Sequence, residues 1–398
     1  MQGRSTPIVA AALAAVLLST AGAATASPAV TVSAHRGGAV TAGDTAEVAT
    51  GLVSPLRVAT GRGNTAYVSQ NFVGKLTGID RNGTATTLLD RPGIEIGGVS
   101  TNKGDVYFTE SAGGPMSPDD PFVANLSVLE DGEPRILADF AALESENNYD
   151  GGNEYGFQDL PADCTEQLTQ QLPPDVLSFV LPRGGEVYSH PYATAASHSG
   201  RYVYVADAGA NVIWTVDTRR DTADATVLEP VATTFTPELL ASVKAQQGVE
   251  LPECVLGLTY NSEPVPTDIE FGPDGLLYLT SLPGVPEDPT LGSVRSFDPE
   301  SGDVELVVSG LTSPTGLAFD RRGNLFVAEL FANRISVIPA GTEEAVLFRE
   351  APQPADVEVD GKYLYATTRA LPAEAEPGAA PAAPQGTLER TRLEYGKR

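Results

Sequence analysis

Four residues whose side chains could do chemistry stand close to a recurring proline of this chain: Arg57, His190, Asp268 and Asp356. Aspartate carboxylates that converge on one point can hold Ca²⁺, which takes roughly six to eight oxygen ligands. A histidine titrates near neutral pH and can act as a general base. What these four side chains do depends on the elements that position them.

Short strands separated by turns position these residues. In five units a proline is followed, eleven to thirteen residues later, by an aromatic residue: Pro55 with Tyr67, Pro191 with Tyr204, Pro266 with Tyr278, Pro314 with Phe326 and Pro354 with Tyr365. A sixth unit, 97–109, keeps the pattern through Tyr107 but has Glu95 where the proline would fall. Short apolar runs bounded by turn residues are typical of β-strands in a meander. Six such units predict an all-β, six-bladed β-propeller.

The two ends of the chain predict how the ring closes. Residues 46–55 align with 304–314, which cover the outermost strand of one unit and the proline of the next. The strand at 46–50 therefore has no unit in front of it, whereas the last unit supplies three strands, the third at 387–393. We expect these two segments to pair antiparallel, with 46–50 as the fourth strand of the last blade, because closure removes two unpaired sheet edges.

The residue two positions after the recurring proline begins the strand that lines the central channel. Across the six units it is Arg57, Gly97, Ala193, Asp268, Gly316 and Asp356. Because the last and first blades are neighbours, Arg57 and Asp356 predict a salt bridge. The two aspartates also leave a channel calcium open as an alternative.

His190 stands directly before its proline, which places it at the channel mouth. It is either a general base or a histidine packed beneath covering loops and hydrogen-bonded to the backbone. The chain has three histidines, His35, His190 and His198, so histidine-rich metal chemistry is not expected.

Acidic residues recur after the second strand of a unit, at Glu110, Asp207 and Glu329. Asn211 and Asn333 follow two of them at a spacing of four. Such pairs at tight connections usually hydrogen-bond the backbone. We interpret them as structural.

Two insertions, 141–186 and 235–262, interrupt the repeat on either side of the third blade and contain Cys164 and Cys254, respectively. Thr236-Pro237-Glu238 supplies an N-cap, a proline at the first helical position and an early acid, which predicts a helix over 237–247. The two cysteines predict a disulfide that pins both insertions together as a cap, with a free catalytic thiol as the alternative. An Ala- and Pro-rich loop, 370–385, is expected to be disordered.

The N-terminal segment predicts export. Arg4, the apolar run 8–18 and Ala24-Thr25-Ala26 form a signal peptide, 1–26, followed by a flexible lead-in, 27–45, and the propeller, 46–398. No other stretch approaches the roughly 18 to 20 apolar residues that a membrane span requires. The formal charge of −27 argues against nucleic acid and anionic membrane surfaces as partners. We expect a secreted monomer whose partner is a small molecule or an extracellular protein.

Several sequence blocks resemble a known family. The units at 207–217 and 328–338 resemble the NHL- or TolB-like repeat, an acid, three spacers, an asparagine and an apolar strand. With SHPYA at 189–193, YVADAGAN at 204–211, PTDIEFGPDGLLYLTSL at 266–282 and SPTGLAFDRRGNLFVAE at 313–329, the region 46–396 resembles the ScyD/ScyE family of exported propellers. That resemblance implies the fold and an association with a cyanobacterial sunscreen pigment pathway, without a defined reaction.

Two functions remain open at this point. The first is a ligand- or protein-binding module without a cofactor. The alternative is a calcium-dependent, lactonase-like hydrolase that acts at the channel mouth. The sequence contains no GxSxG, HExxH, phosphate-loop or CxxC motif that would add a third.

Overall fold

The computed structural model describes residues 40–115, 120–130, 132–372 and 383–396. Within them, the strands form six four-stranded antiparallel sheets and one three-stranded sheet. The first strands of consecutive four-stranded sheets lie side by side in chain order, and that of the sixth lies against that of the first. The six sheets therefore form a closed ring, and the prediction of a six-bladed β-propeller is confirmed.

The four strands of each blade are numbered from the channel outwards. Blade 1 consists of Pro55–Thr60, Ala66–Gln70, Lys75–Ile79 and Ala85–Asp90, and blade 2 of Glu95–Asn102, Asp105–Ala112, Val123–Glu130 and Glu133–Asp139. Blade 3 consists of Pro191–Ala196, Tyr202–Asp207, Val212–Asp217 and Thr222–Val227, and blade 4 of Pro266–Phe271, Leu277–Ser281, Gly292–Phe297 and Val304–Leu311. Blade 5 consists of Pro314–Phe319, Leu325–Glu329, Arg334–Ile338 and Val346–Glu350, and blade 6 of Asp356–Asp360, Tyr363–Thr368, Gly386–Tyr395 and Val40–Leu52.

The N-terminal strand closes the ring as predicted. Val40–Leu52 pairs antiparallel with Gly386–Tyr395, with Thr50 opposite Thr387 and Ala46 opposite Arg390. The fourth strand of blade 6 thus comes from the opposite end of the chain, and both strands lose an open edge.

The predicted boundary of the lead-in, 27–45, is wrong at its C-terminal end. The strand already begins at Val40, which pairs with Tyr395 and packs in the same core cluster as Leu393. The sequence signal is weak there because Val40 is buried, whereas Thr41 and Asp44 are exposed. The predicted signal peptide and residues 27–39 lie outside the described residues.

The order of the strands gathers the long connections on one face of the disk. In an antiparallel blade, the connection between strands 2 and 3 and the connection to the next blade lie at the same end. We call this end the cap face, because it carries the two insertions that run between blades 2 and 3 and between blades 3 and 4. The opposite end, the turn face, carries the connections between strands 1 and 2 and between strands 3 and 4.

The two insertions form one unit, the cap. Its helices are α1 (Phe140–Asn147), α2 (Ala162–Gln171), α3 (Pro174–Val180) and α4 (Pro237–Gln247). Its sheet joins Gly156–Phe157 of the first insertion to Thr259–Ser262 of the second and to Val231–Thr234, which directly precedes the second insertion. The helix predicted over 237–247 is confirmed as α4, and the Thr236 side chain accepts a hydrogen bond from the amide of Leu239 as its N-cap.

The predicted disulfide is present. The Sγ atoms of Cys164 and Cys254 are 2.06 Å apart and their Cα atoms 5.6 Å apart. Cys164 is buried in a cluster with Phe157, Phe235 and Val255, so apolar packing and the disulfide join the same two segments.

The apolar core lies mainly between neighbouring blades. Trp214 of blade 3 is fully buried, and its indole stacks on Phe140 of α1 at 4.8 Å, which anchors the cap to the ring. The loop predicted to be disordered, 370–385, falls largely on residues 373–382, outside the described part. Its first residue is an exception, because Ala370 is buried beside Leu330 and Ala355. No helix in the described ranges is long and apolar enough to cross a membrane.

Candidate functional site

Arg57 occupies the centre of the channel, and its side chain is 2% exposed. Nη1 and Nη2 donate hydrogen bonds to the carbonyl oxygens of Thr315 and Thr267, and Nε donates to that of Tyr192 at 3.4 Å. Nη1 lies 3.6 Å from an oxygen of Asp356, so the predicted salt bridge is present, and 3.8 Å from one of Asp268. One side chain of blade 1 therefore contacts the inner strands of blades 3, 4, 5 and 6.

Asp268 and Asp356 each hold a neighbouring blade as well as Arg57. Asp268 Oδ2 accepts a hydrogen bond from the amide of Leu317 at 2.7 Å, and Asp356 Oδ2 accepts one from the amide of Val58 at 2.8 Å. Burial raises the pKa of both carboxyls, and the charge of Asp268 raises that of Asp356 further, while Arg57 opposes both shifts. Each of these carboxyls therefore links its own blade to the next one by a hydrogen bond.

Two more carboxyls, those of Glu270 and Glu358, lie two residues further along the inner strands towards the turn face, and both residues are half-buried. Glu270 stands two residues after Asp268, and Glu358 two residues after Asp356, so each glutamate lies on the same face of its strand as the aspartate. The hydroxyl of Thr60 donates to Glu358 Oε1 at 2.9 Å. Burial raises the pKa of Glu358 to about 7 and that of Glu270 well above its ordinary value. Sequence reasoning missed this layer, although the two-residue spacing from Asp268 and Asp356 was a usable signal.

The oxygens around the Arg57 guanidinium do not fit a calcium ion. Oxygens that could serve as its ligands, the carbonyls of Thr267 and Thr315 and the carboxylates of Asp268 and Asp356, already face the Arg57 guanidinium. A divalent cation there would stand beside a fixed positive charge. In addition, the described ranges contain no group of three or more His, Cys, Asp or Glu side chains arranged to hold a metal ion.

His190 lies at the cap-face mouth of the channel and bonds to a carboxylate. Its Nε2 is 3.2 Å from Glu95 Oε2, and the two side chains are 14% and 33% exposed. The expectation of a ring hydrogen-bonded to the backbone is therefore wrong, because the residue that replaces the proline in blade 2 provides the partner. The backbone amide of His190 donates instead to Asp207 Oδ1 at 2.7 Å.

The pKa values of His190 and Glu95 shift as those of an ion pair. Burial alone would lower the pKa of His190, but the hydrogen bond and charge of Glu95 outweigh it and raise the pKa above 6.5. Burial alone would raise the pKa of Glu95, but the hydrogen bond and charge of His190 lower it below 4.5. The mouth therefore presents an imidazolium and a carboxylate in mildly acidic solution.

Aromatic rings connect this pair to the channel. The ring of His190 lies 6.1 Å from that of Tyr188 and 5.7 Å from that of Tyr192. The guanidinium of Arg57 lies 4.9 Å from the Tyr192 ring on the channel side. The mouth thus combines a charged donor and acceptor with ring faces, a composition suited to a small polar ligand.

The recurring acids and asparagines make structural hydrogen bonds, as interpreted from the sequence. Asp207 accepts the amides of Gly209 and Ala210 in its own turn at 3.1 and 3.0 Å, and the other residues also bond beyond the local turn. Glu329 binds Arg334 at 2.8 Å and accepts the amide of Thr312 at 2.7 Å. Glu110 accepts the hydroxyl of Ser127 at 2.8 Å. Asn211 and Asn333 accept the amides of Val265 and Gln353, which lie in the connections that lead into the first strand of the next blade.

Comparisons with known proteins show the fold. No protein-family model and no curated protein matches the sequence. The PQQ-bound aldose sugar dehydrogenase of Streptomyces coelicolor is similar in structure, with a TM-score of 0.53, 14% identity and coverage of 90% of this chain and 98% of that one. A candidate oxidoreductase (glucose dehydrogenase) from Thermus thermophilus has a TM-score of 0.50 at 15% identity, with 87% of this chain and 99% of that one covered.

A gluconolactonase from Xanthomonas campestris has a TM-score of 0.48 at 11% identity, with 88% of this chain and 89% of that one covered. At such identities the shared feature is the β-propeller, which hosts many unrelated activities. The site must therefore be judged on its own residues.

Proposed function

We propose that this chain is an exported β-propeller of the ScyD/ScyE type that binds a small polar ligand at the cap-face mouth of its channel, without a hydrolytic metal in the channel. The observation that carries the proposal is the position of Arg57. Its guanidinium already engages the carboxylates and carbonyls at the channel centre. At this end, His190 and Glu95 provide a partly exposed imidazole and carboxylate for a ligand.

The mouth supplies what such a ligand needs. The imidazole and carboxylate are partly exposed, can donate and accept hydrogen bonds, and lie beside the Tyr188 and Tyr192 rings. The disulfide and the cap sheet join the two insertions to each other on the same face of the disk as this mouth. A disulfide also supports an oxidising compartment, in agreement with export.

The alternative is a calcium-dependent, lactonase-like hydrolase. It is favoured by the four channel carboxyls, which outnumber the positive charge of Arg57. It is opposed by the position of Arg57, because a divalent cation at the channel centre would stand beside the positive guanidinium. A binding function accounts for both, because Asp268 and Asp356 link neighbouring blades and the partly exposed His190 and Glu95 stand at the mouth.

A ligand screen with a matched pair of histidine variants tests the proposal. We would screen polar small molecules by thermal shift against the mature protein, His190→Gln and His198→Gln. His198 is exposed in the connection between strands 1 and 2 of blade 3, on the turn face. We expect stabilisation by a hit to be lost in His190→Gln and kept in His198→Gln. Loss in both variants, or calcium-dependent lactone hydrolysis abolished by Asp268→Asn, would overturn the proposal.

A further inference from the structure

A concave site lies on the turn face, away from the mouth. It is a pocket of about 280 Å³ at the seam between blades 1 and 2, lined by Thr60, Gly61, Arg62, Tyr67, Thr101, Lys103 and Gly104. This volume falls just below the range of roughly 300 to 1,000 Å³ typical of pockets for drug-sized ligands. The pocket is therefore of a size for a single sugar ring or a comparable molecule.

The charge of this pocket is opposite to that of the chain. The protein carries a formal charge of −27, yet the pocket is lined by two cations and no carboxylate. Among the described residues, ion pairs engage Lys75 and Arg91 of the same two blades but neither Arg62 nor Lys103. Two unneutralised cations at one concave site are the arrangement that recognises an anionic group.

Contacts with the backbone of three blades shape the surroundings of the pocket. Lys103 Nζ donates to the carbonyl of Ser199 in blade 3 at 3.1 Å, which anchors the side chain and leaves two further ammonium N–H groups for a ligand. Gly104, whose φ is 114°, lies next to the Arg62 guanidinium, since a Cβ built on this glycine would be 4.0 Å from Arg62 Nη1. The hydroxyl of Thr101 donates to the carbonyl of Thr60 at 2.7 Å and closes the seam.

Tyr67 supplies a ring face in the same pocket. A Cβ on Gly61 would lie 2.6 Å from Tyr67 Cε2, so this glycine allows the ring to lie against the backbone. Arg62, one residue further, begins the short 3₁₀ turn Arg62–Asn64. An aromatic face beside two cations suits a ligand that joins a ring-sized body to an anionic group.

We propose that this pocket binds a phosphorylated, sugar-sized molecule, with its phosphate between Arg62 and Lys103 and its ring against Tyr67. A phosphate monoester carries about −1.5 to −2 charges near pH 7, which matches the two cations. Arginine can bind such a group through two parallel hydrogen bonds, and lysine binds it as a point charge. This site is independent of the ligand proposed at the cap-face mouth.

Calorimetric titration of the mature protein at low ionic strength tests this site, with D-glucose 6-phosphate, D-glucose and inorganic phosphate as probes. We expect glucose 6-phosphate to bind more tightly than inorganic phosphate, and glucose to show no binding. Arg62→Gln and Lys103→Gln should each weaken the binding of glucose 6-phosphate by about tenfold or more. Both substituted side chains are exposed, so the variants should fold, which circular dichroism would verify.

The matched control is Arg321→Gln. Arg321 is exposed in the connection between strands 1 and 2 of blade 5, on the same face, and its loss changes the net charge equally. It should leave binding unchanged. An equal loss in Arg321→Gln would show that only the general field of the protein matters. The proposal would be overturned by such an equal loss, by the absence of glucose 6-phosphate binding, or by glucose binding as tightly as glucose 6-phosphate. Equal affinity for inorganic phosphate would overturn the assignment of a sugar-sized ligand.

Discussion

Arg57 is the residue on which the electrostatics of the channel depend. Its removal leaves Asp268 and Asp356 buried without their cation, and an uncompensated buried charge is costly. We therefore expect Arg57→Met to lower the free energy of unfolding by about 3 to 5 kcal/mol. Urea denaturation followed by circular dichroism measures this difference.

A triple variant provides the internal control. It adds Asp268→Asn and Asp356→Asn to Arg57→Met. These two substitutions remove the buried carboxylates that have lost their cation, so part of the lost stability should return. Arg321→Met, which removes an exposed arginine, should change the free energy of unfolding little. An Arg57→Met protein as stable as the wild type would contradict the role of the guanidinium as a clasp.

The ion pair of His190 and Glu95 should make stability depend on pH. The pKa of His190 is raised above 6.5, so its contribution is complete below that pH and is lost as the pH rises through its folded-state value. The pKa of Glu95 is lowered below 4.5, so its contribution is present above that pH and is lost in more acidic solution. The pair should therefore stabilise the fold most between pH 4.5 and 6.5.

Melting curves of wild type, His190→Gln and His198→Gln at about pH 5.5 and about pH 8.5 measure this contribution. His190→Gln should destabilise the protein more at the lower pH, by about 1 kcal/mol or less because both groups are partly exposed. His198→Gln should show no such difference. A destabilisation by His190→Gln that grows with pH would contradict the ion pair.

Sequence reasoning at the residue scale succeeded where register alone decides contacts. Equivalent positions on neighbouring inner strands brought Arg57 and Asp356 together. It failed for Glu95, because the residue that breaks a repeat was treated as a lost proline and not as a new side chain at the mouth. It also could not place Asn211, whose partner, Val265, is separated from it by the whole second insertion.

At the scale of elements, the cap should behave as one cooperative unit held by its disulfide. The bond closes a sequence separation of 90 residues, and the loop-entropy model assigns such a closure about 4 kcal/mol. Reduction, or a Cys164→Ser and Cys254→Ser double variant, should therefore loosen the cap more than the blades. The reason is that local openings cost less than global unfolding.

Amide hydrogen exchange distinguishes these regions. In the double variant, exchange should accelerate in α2 and in the strand Thr259–Ser262. The inner strand of blade 5, Pro314–Phe319, should keep its protection and serves as the internal control. Uniform acceleration across all blades would contradict a cap that opens independently of the ring.

Elements with strong local signals could be predicted from the sequence, and α4 is the clearest case. Its N-cap, proline and first-turn acid all stand in the chain before any tertiary contact is considered. The strand Gly156–Phe157 could not be predicted, since it is two residues long and is defined by its pairing with a segment about 100 residues away.

At the scale of the whole molecule, the ring depends on its N-terminal strand. Deletion of residues up to Leu52 should expose the edge of Gly386–Tyr395, lower the melting temperature and accelerate amide exchange in that distant strand. Deletion up to residue 39 should do neither, because the pairing begins at Val40. A synthetic peptide of residues 40–52 added to the longer truncation should restore part of the stability.

An unchanged melting temperature after the longer deletion would contradict ring closure by this strand. The fold as a whole could be predicted because the count of strands is periodic and the missing strand of the last blade appears at the start of the chain. The bounds of that strand, Val40–Leu52 instead of 46–50, escaped the pattern, mainly at its start, because Val40 is a single buried side chain followed by partly or fully exposed ones.

The response of the protein to calcium tests the proposed function most directly, because that function depends on Arg57 occupying the channel centre. Melting temperatures of the wild type, Asp268→Asn and Asp356→Asn would be compared in millimolar calcium and in sodium chloride of equal ionic strength. Extracellular calcium sites with dissociation constants of about 10⁻⁴ to 10⁻³ M would be occupied under these conditions. We expect calcium to leave the wild-type melting temperature unchanged. A rise in the wild type that disappears in both aspartate variants would contradict the account and support a metal-dependent hydrolase.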